Sequence, residues 1–285
     1  MKLICPDPKT FSFECIEEIK KTFSTNIMEI NQNKFNKIGK NYEIILIRFT
    51  RYIGKEILCS NTNVKYILTP TTNPENYIDL KIAKRKKIKV FSLVGENNFL
   101  NKIPATAEHT WLLILSLCRN LIPASESVSI KRWTPVNYKG IELKDKTIGI
   151  VGFGRLGKKV ANYARIFGMN VIFFDKEVNA SLKFKKINSL SSLISKSDIV
   201  SIHASLNDKT FHMFNKKTLS GFKKNSLLIN TSRGEIIDSK SLVHFLKNKK
   251  IKGAAIDIIE NEVFLEKRKK DPLIKYSKKN KNILI

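Results

Sequence analysis

Cysteine is scarce and scattered: Cys5, Cys15, Cys59 and Cys118 are the only four among 285 residues, and no two form a CxxC pair. Such spacing argues against a disulfide scaffold and against a thiolate metal site, and it suits reduced thiols in a cytoplasm. No metal is expected. Long apolar runs are missing as well. The greasiest segment, Trp111 to Cys118, is interrupted by Ser116 and falls short of a membrane span, so it reads as a buried helix. Met1-Lys2-Leu3-Ile4-Cys5-Pro6-Asp7 lacks the apolar core of a signal peptide. There is no internal repeat and no low-complexity linker. Acidic residues are in the minority, 25 against 52 lysines and arginines, which leaves a net charge of +27.

That excess raises the question of nucleic acid. Basic clusters stand at Lys84-Arg85-Lys86-Lys87, Lys267-Arg268-Lys269-Lys270 and Lys278-Lys279. They have no interleaved aromatics and no reader motif, and lysine, asparagine and isoleucine are abundant everywhere, turns included. The charge therefore reads as overall composition on a solvated surface. Nucleic-acid binding is not expected, although the field should draw anionic substrates toward a cleft.

What is present is a rhythm of two α/β domains, 1–102 and 103–285. In the first, apolar runs at Leu3-Ile4-Cys5, Asn26 to Ile30, Glu43 to Phe49, Val64 to Leu68 and Lys89 to Leu93 alternate with helical stretches near Phe13 to Phe23 and Tyr77 to Lys87. This predicts an open parallel sheet. Thr106 to Ile122 reads as one long helix, apolar nearly all round. The second domain carries strands at Asp198 to His203, Ser226 to Asn230 and Gly253 to Ile258, with a helix from Ser239 to Lys249.

The most informative stretch runs from Thr147 to Asp175. The strand Thr147-Ile148-Gly149-Ile150-Val151 ends in Gly152-Phe153-Gly154-Arg155-Leu156-Gly157, a helix follows to Gly168, and a second strand, Asn170 to Phe174, closes on Asp175. Gly152 permits the tight turn, Gly154 lets backbone approach a pyrophosphate, and Gly157 lets helix and strand pack closely. The phosphates would sit on free amides at the helix N-terminus. Asp175 can accept ribose hydroxyls and would repel a 2′-phosphate, so NAD is favoured over NADP. A glycine-rich turn alone would not require that acid.

The order of motifs resembles the D-isomer-specific 2-hydroxyacid dehydrogenase family over essentially the whole chain. The resemblance rests on Ala105-Thr106-Ala107-Glu108-His109-Thr110, Trp133, the glycine turn with Asp175, Val200-Ser201-Ile202-His203, Asn230-Thr231-Ser232-Arg233-Gly234-Glu235, and Gly253 to Glu262. It implies two Rossmann-like, flavodoxin-like domains with the active site between them, and hydride transfer between NAD(H) and C2 of a 2-hydroxy or 2-keto acid. It also implies a homodimer made through the Thr106 to Ile122 region. Arg233, past a strand at its carboxyl end, would grip carboxylate and carbonyl oxygens through its fork of donors. Glu262 matches the acid that holds a catalytic histidine charged. Cofactor contacts are expected from Gly152, Gly154, Arg155, Leu156, Gly157 and Asp175, and, by resemblance, from Thr72, Ala204, Thr231, Arg233 and Asp257.

Three departures stand out. The loop Thr71-Thr72-Asn73-Pro74-Glu75 replaces a glycine-containing one, and Ser205 stands where relatives usually have proline. The family's histidine follows the Glu in a Thr-Pro-His segment just past an apolar strand; here Asn282-Ile283-Leu284-Ile285 matches that strand and is the end of the sequence. A truncated, poorly active chain is the expectation. His109 and His244 read as structural, and His203 and His212 as poor substitutes. The rival readings are a dinucleotide-binding regulator that keeps the fold without turnover, and a nucleic-acid-binding protein. The acid itself is left open among 3-phosphoglycerate, glyoxylate, hydroxypyruvate, lactate and a sugar acid.

Overall fold

The computed structural model describes residues 1–129, 135–178, 183–262 and 269–285. Trp133 and Lys267-Arg268 lie outside the described residues. The chain divides into two compact units, Met1–Lys102 and Ile103–Ile285.

The first unit contains β1 (Lys2–Cys5), α1 (Phe13–Thr22), β2 (Ser24–Ile27), α2 (Gln32–Ile38), β3 (Ile44–Leu46), β4 (Tyr66–Leu68), α3 (Leu80–Arg85), β5 (Lys89–Phe91) and α4 (Asn97–Asn101). Its five-stranded sheet runs β2-β1-β3-β4-β5 and every pairing is parallel. The strands are shorter than the apolar runs suggest. The Glu43 to Phe49 run contributes only Ile44–Leu46, although the Ile47 amide still donates to Leu68 O at 3.1 Å. The run at Asn26 to Ile30 starts earlier, at Ser24, because register with β1 pairs Lys2 with Ser24.

The second unit begins with α5 (Ala105–Cys118) and α6 (Leu121–Ser129). The single helix expected over Thr106 to Ile122 is thus two. Asn120 adopts a left-handed φ of 52° and its side-chain amide donates to Lys139 O at 3.1 Å, which terminates the first helix. Then come β6 (Thr147–Val151), α7 (Arg155–Ile166), β7 (Asn170–Phe174), β8 (Lys185–Lys186), α8 (Leu190–Lys196), β9 (Ile199–Ile202), α9 (Lys216–Ser220), β10 (Ser226–Asn230), α10 (Ser239–Lys247), β11 (Ile251–Ile256), α11 (Pro272–Ser277) and β12 (Ile283–Leu284).

The seven strands lie in the order β12-β11-β10-β9-β6-β7-β8, all parallel. The order reverses between β6 and β9, the switch point of a doubly wound sheet, where ligands bind outside the carboxyl ends of the strands. Both faces are covered. Ala107, Trp111 and Ile114 of α5 and Val160, Ala161 and Ala164 of α7 pack with Ile148, Ile150 and Ala255 on one face. Leu193, Leu219, Leu242 and Leu273 from the helices α8 to α11 pack with Val151, Val200, Leu228 and Ile256 on the other. Strands buried on both faces read as continuous apolar runs, which is why β6, β7 and β10 are so plain in the sequence.

Candidate functional site

One edge of the seven-stranded sheet collects the chemistry. In spatial order Asp175 follows β7, Gly152 follows β6, His203-Ala204 follow β9, Thr231-Ser232-Arg233 follow β10 and Asp257 follows β11. Neighbouring strands lie about 4.8 Å apart, so these five ends span roughly 20 Å, a reach that suits a ligand with two nucleotide halves.

The turn after β6 is built for close approach. Gly152 has φ +90°, its amide donates to Phe174 O at 2.9 Å, and a Cβ there would come within 2.6 Å of Ala204 N. A Cβ on Gly157 would sit 2.2 Å from Gly152 O, so helix and strand could not pack as they do. Gly154 is the opposite case. It N-caps α7 with no capping side chain, and a Cβ there would meet nothing within 4 Å. The space beside Gly154 at the start of α7 is therefore open, as close approach of a pyrophosphate requires. Arg155 turns aside to donate to Ile103 O at 3.2 Å, and Leu156 packs into the core around α5 and α7.

Asp175 is held by backbone. One oxygen accepts from the Phe153 amide at 2.6 Å, and the other from Glu177 and Val178 at 2.8 and 2.9 Å. Partial burial opposes its ionisation, yet these three amides and nearby Lys186 keep it below the ordinary carboxylate range. The acid thus fixes the glycine turn as well as facing the edge.

At β10 the side chain of Asn230 braces the next turn: its amide donates to Arg233 O at 2.9 Å and its oxygen accepts from Ser232 N at 3.0 Å. Arg233 is half-buried, with extended backbone and one guanidinium nitrogen donating to Ser232 O at 2.6 Å. Thr231 is buried, its hydroxyl 2.8 Å from that of Thr110. The Asp257 amide donates to Asn230 O at 2.9 Å.

The strand expected over Gly253 to Ile258 is β11, and Glu262 follows it. The strand stops at Ile256 because the β10 ladder it pairs with ends at Asn230, and Glu262 stands half-buried in the turn beyond. That turn is pinned to the Arg233 loop. Asn261, left-handed at φ 55°, donates its amide to Glu235 Oε1 at 3.0 Å. Glu260 accepts from the Ser239 amide at 3.1 Å and lies 2.6 Å from His212 Nε2. Thr72 belongs to the first unit, where its hydroxyl donates to Asn73 Oδ1 at 3.2 Å.

His109 and His203 both have polar partners in the structure. His109, read as structural, is half-exposed with Nε2 3.1 Å from Asp257 Oδ1. Only topology could reveal that pair, since the two residues are 148 positions apart. His203 lies 2.9 Å from Ser201 Oγ, and burial pushes its imidazole down to about 4, so it is neutral at pH 7. Among the described residues no His, Cys, Asp and Glu group is placed to hold a metal, and no helix is long and apolar enough to cross a membrane.

A parallel doubly wound sheet with an open glycine turn and an acid after the second strand defines a dinucleotide-binding domain. Residues 111–284 match the family model described as D-isomer specific 2-hydroxyacid dehydrogenase, NAD binding domain, and the chain belongs to that family. It is 31% identical over 227 residues to D-3-phosphoglycerate dehydrogenase of Methanocaldococcus jannaschii, covering 78% of this chain and 42% of that one. It is 35% identical over 228 residues to glyoxylate reductase of Thermofilum pendens, covering 77% and 66%. The chain thus spans less than half the length of the phosphoglycerate dehydrogenases it matches. Among solved structures, D-lactate dehydrogenase from Aquifex aeolicus complexed with NAD and lactic acid superposes with a TM-score of 0.81 at 27% identity, over 100% of this chain and 87% of that one.

Proposed function

We propose that the protein transfers hydride reversibly between NAD(H) and C2 of a small D-2-hydroxy or 2-keto acid. The observation that carries the reading is the braced Arg233 on the same strand edge as the glycine turn. With adenosine on Asp175 and pyrophosphate at Gly152 to Gly157, the strand order leads the other half of the dinucleotide past Ala204 to Thr231 and Asp257. The α7 N-terminus, which has no capping side chain, and the space over Gly154 fit that cofactor. Bound NADH supplies the hydride. Arg233 holds the substrate carboxylate and polarises the carbonyl that becomes the alkoxide. Glu262 would hold charged the imidazole that gives the alkoxide its proton; none of His109, His203, His212 and His244 is assigned that role, so solvent supplies the proton here. Residues 1–102 are read as the substrate domain, and Thr72 as a cofactor contact.

Several features support the wider setting. Leu112, Leu121, Ile122 and Val128 on α5 and α6 are each about half exposed, a patch that suits a homodimer. The free cysteines suit a cytoplasmic protein, and the lysine surface is read as solvated rather than nucleic-acid-binding.

The test follows NADH oxidation with pyruvate, glyoxylate, hydroxypyruvate and phosphohydroxypyruvate, beside fluorescence titration of NADH. The reading expects NADH binding and, with no histidine here assigned as proton donor, only slow reduction of at least one acid. Tight NADH binding with no acid reduced would favour the regulatory alternative, and absence of NADH binding would remove both.

A further inference from the structure

The contact between His109 and Asp257 is one that the proposed chemistry leaves unused. Both partners are anchored independently. His109 stands in the first turns of α5, and the next residue, Thr110, donates its hydroxyl to Thr106 O at 2.7 Å. That hydroxyl has only one hydrogen, so in the 2.8 Å contact Thr231 must be the donor to Thr110. The start of α5 is thereby tied to the end of β10 at a buried point. Asp257 is fixed through its own amide on Asn230 O. The imidazole and carboxylate then meet 3.1 Å apart, their side chains 42% and 40% exposed.

We infer that His109 is a positioning residue for the Asp257 carboxylate, and that the pair sets the relative affinity of the site for oxidised and reduced nicotinamide. The inference rests on the reading above that the nicotinamide lies beside Asp257. The oxidised ring carries a positive charge and the reduced ring does not, so a carboxylate beside it favours NAD+. An imidazole hydrogen-bonded to one carboxylate oxygen draws off part of that field and turns the other oxygen to a fixed direction. Removing the imidazole leaves a freer, more anionic neighbour for the ring. A charge a few ångströms away in a half-solvated site changes affinity by roughly three- to tenfold.

The experiment needs no turnover. Affinities for NAD+, NADH and ADP-ribose are measured on the full chain for the unmodified protein, His109→Ala, His109→Gln, Asp257→Asn and the Ala/Asn double variant. His109→Ala should shift the NAD+/NADH affinity ratio about three- to tenfold toward NAD+. His109→Gln, which retains a donor, should fall nearer the unmodified ratio. Asp257→Asn should shift it toward NADH, and His109→Ala should do nothing further in that background. ADP-ribose, which lacks the nicotinamide, should bind all five alike. An Asp257→Asn response with no His109→Ala response overturns the inference and leaves the cofactor reading standing. No response to Asp257→Asn removes the cofactor reading at that position, and the inference with it. Weakened ADP-ribose binding in His109→Ala would make His109 a structural prop of the whole site and would equally overturn the inference.

Discussion

Asp175 combines two duties at the scale of a single residue. It accepts three backbone amides and, in the proposed complex, ribose hydroxyls. Asp175→Ala should weaken NADH binding at least tenfold, since charge-assisted hydrogen bonds are worth roughly 1.5–3 kcal/mol. It should also narrow the gap to NADPH, because the repulsion goes with the carboxylate. Thermal stability should fall too, with the Phe153, Glu177 and Val178 amides left without their acceptor. Fluorescence titration checks the first two effects; tighter NADPH than NADH binding by the unmodified protein would sink the assignment. Arg233→Lys keeps the charge but loses the planar fork. It should spare NADH affinity while lowering kcat/KM for the best 2-keto acid by at least tenfold, and unchanged efficiency would take Arg233 out of the substrate site. His203 gives a pH prediction. Its folded pKa of about 4 lies below the ordinary 6.5, so the unfolded chain binds the extra proton first. Its contribution is intact above pH 6.5 and is lost as pH falls toward 4, by at most about 3 kcal/mol. Urea midpoints across that range should flatten in His203→Gln.

Among elements, the β6-turn-α7 unit is the most demanding. The Gly157 to Gly152 approach leaves no room for a methyl group, so Gly157→Ala should cost about 2 kcal/mol or more and weaken NADH together with stability. A melting temperature within a degree of the parent would show that the helix can shift to accept it. This unit was also the most legible in the sequence, because its signals are local: β-run, glycine spacing and acid all fall within Thr147 to Asp175, and β6, β7 and β10 keep the bounds read from their apolar runs. Long-range causes were not legible. The break at Asn120 depends on the Lys139 carbonyl, which no helical periodicity encodes. β11 stops at Ile256 because its partner β10 ends, although Ile258 and Ile259 follow Asp257. The His109–Asp257 and His212–Glu260 pairs likewise required the sheet order before either partner could be found.

For the whole molecule, the net charge of +27 is the property most open to misreading. If it is compositional, binding to duplex DNA should be weak, indifferent to sequence and abolished at physiological salt. Titration against a specific and a scrambled duplex at two salt concentrations checks this; a strong preference surviving physiological salt would revive the nucleic-acid reading. Not every lysine is idle, however. β8 is the last strand of the second sheet on its side and consists of Lys185 and Lys186 alone, pairing with Ile172 and Phe173. An open strand edge is a template on which another chain can add, and short length and lysine are two means by which proteins blunt it. With both lysines there, a second molecule docking edge to edge would bring four ammonium groups together at strand spacing. Lysine at this edge thus disfavours the addition of a second molecule to the sheet.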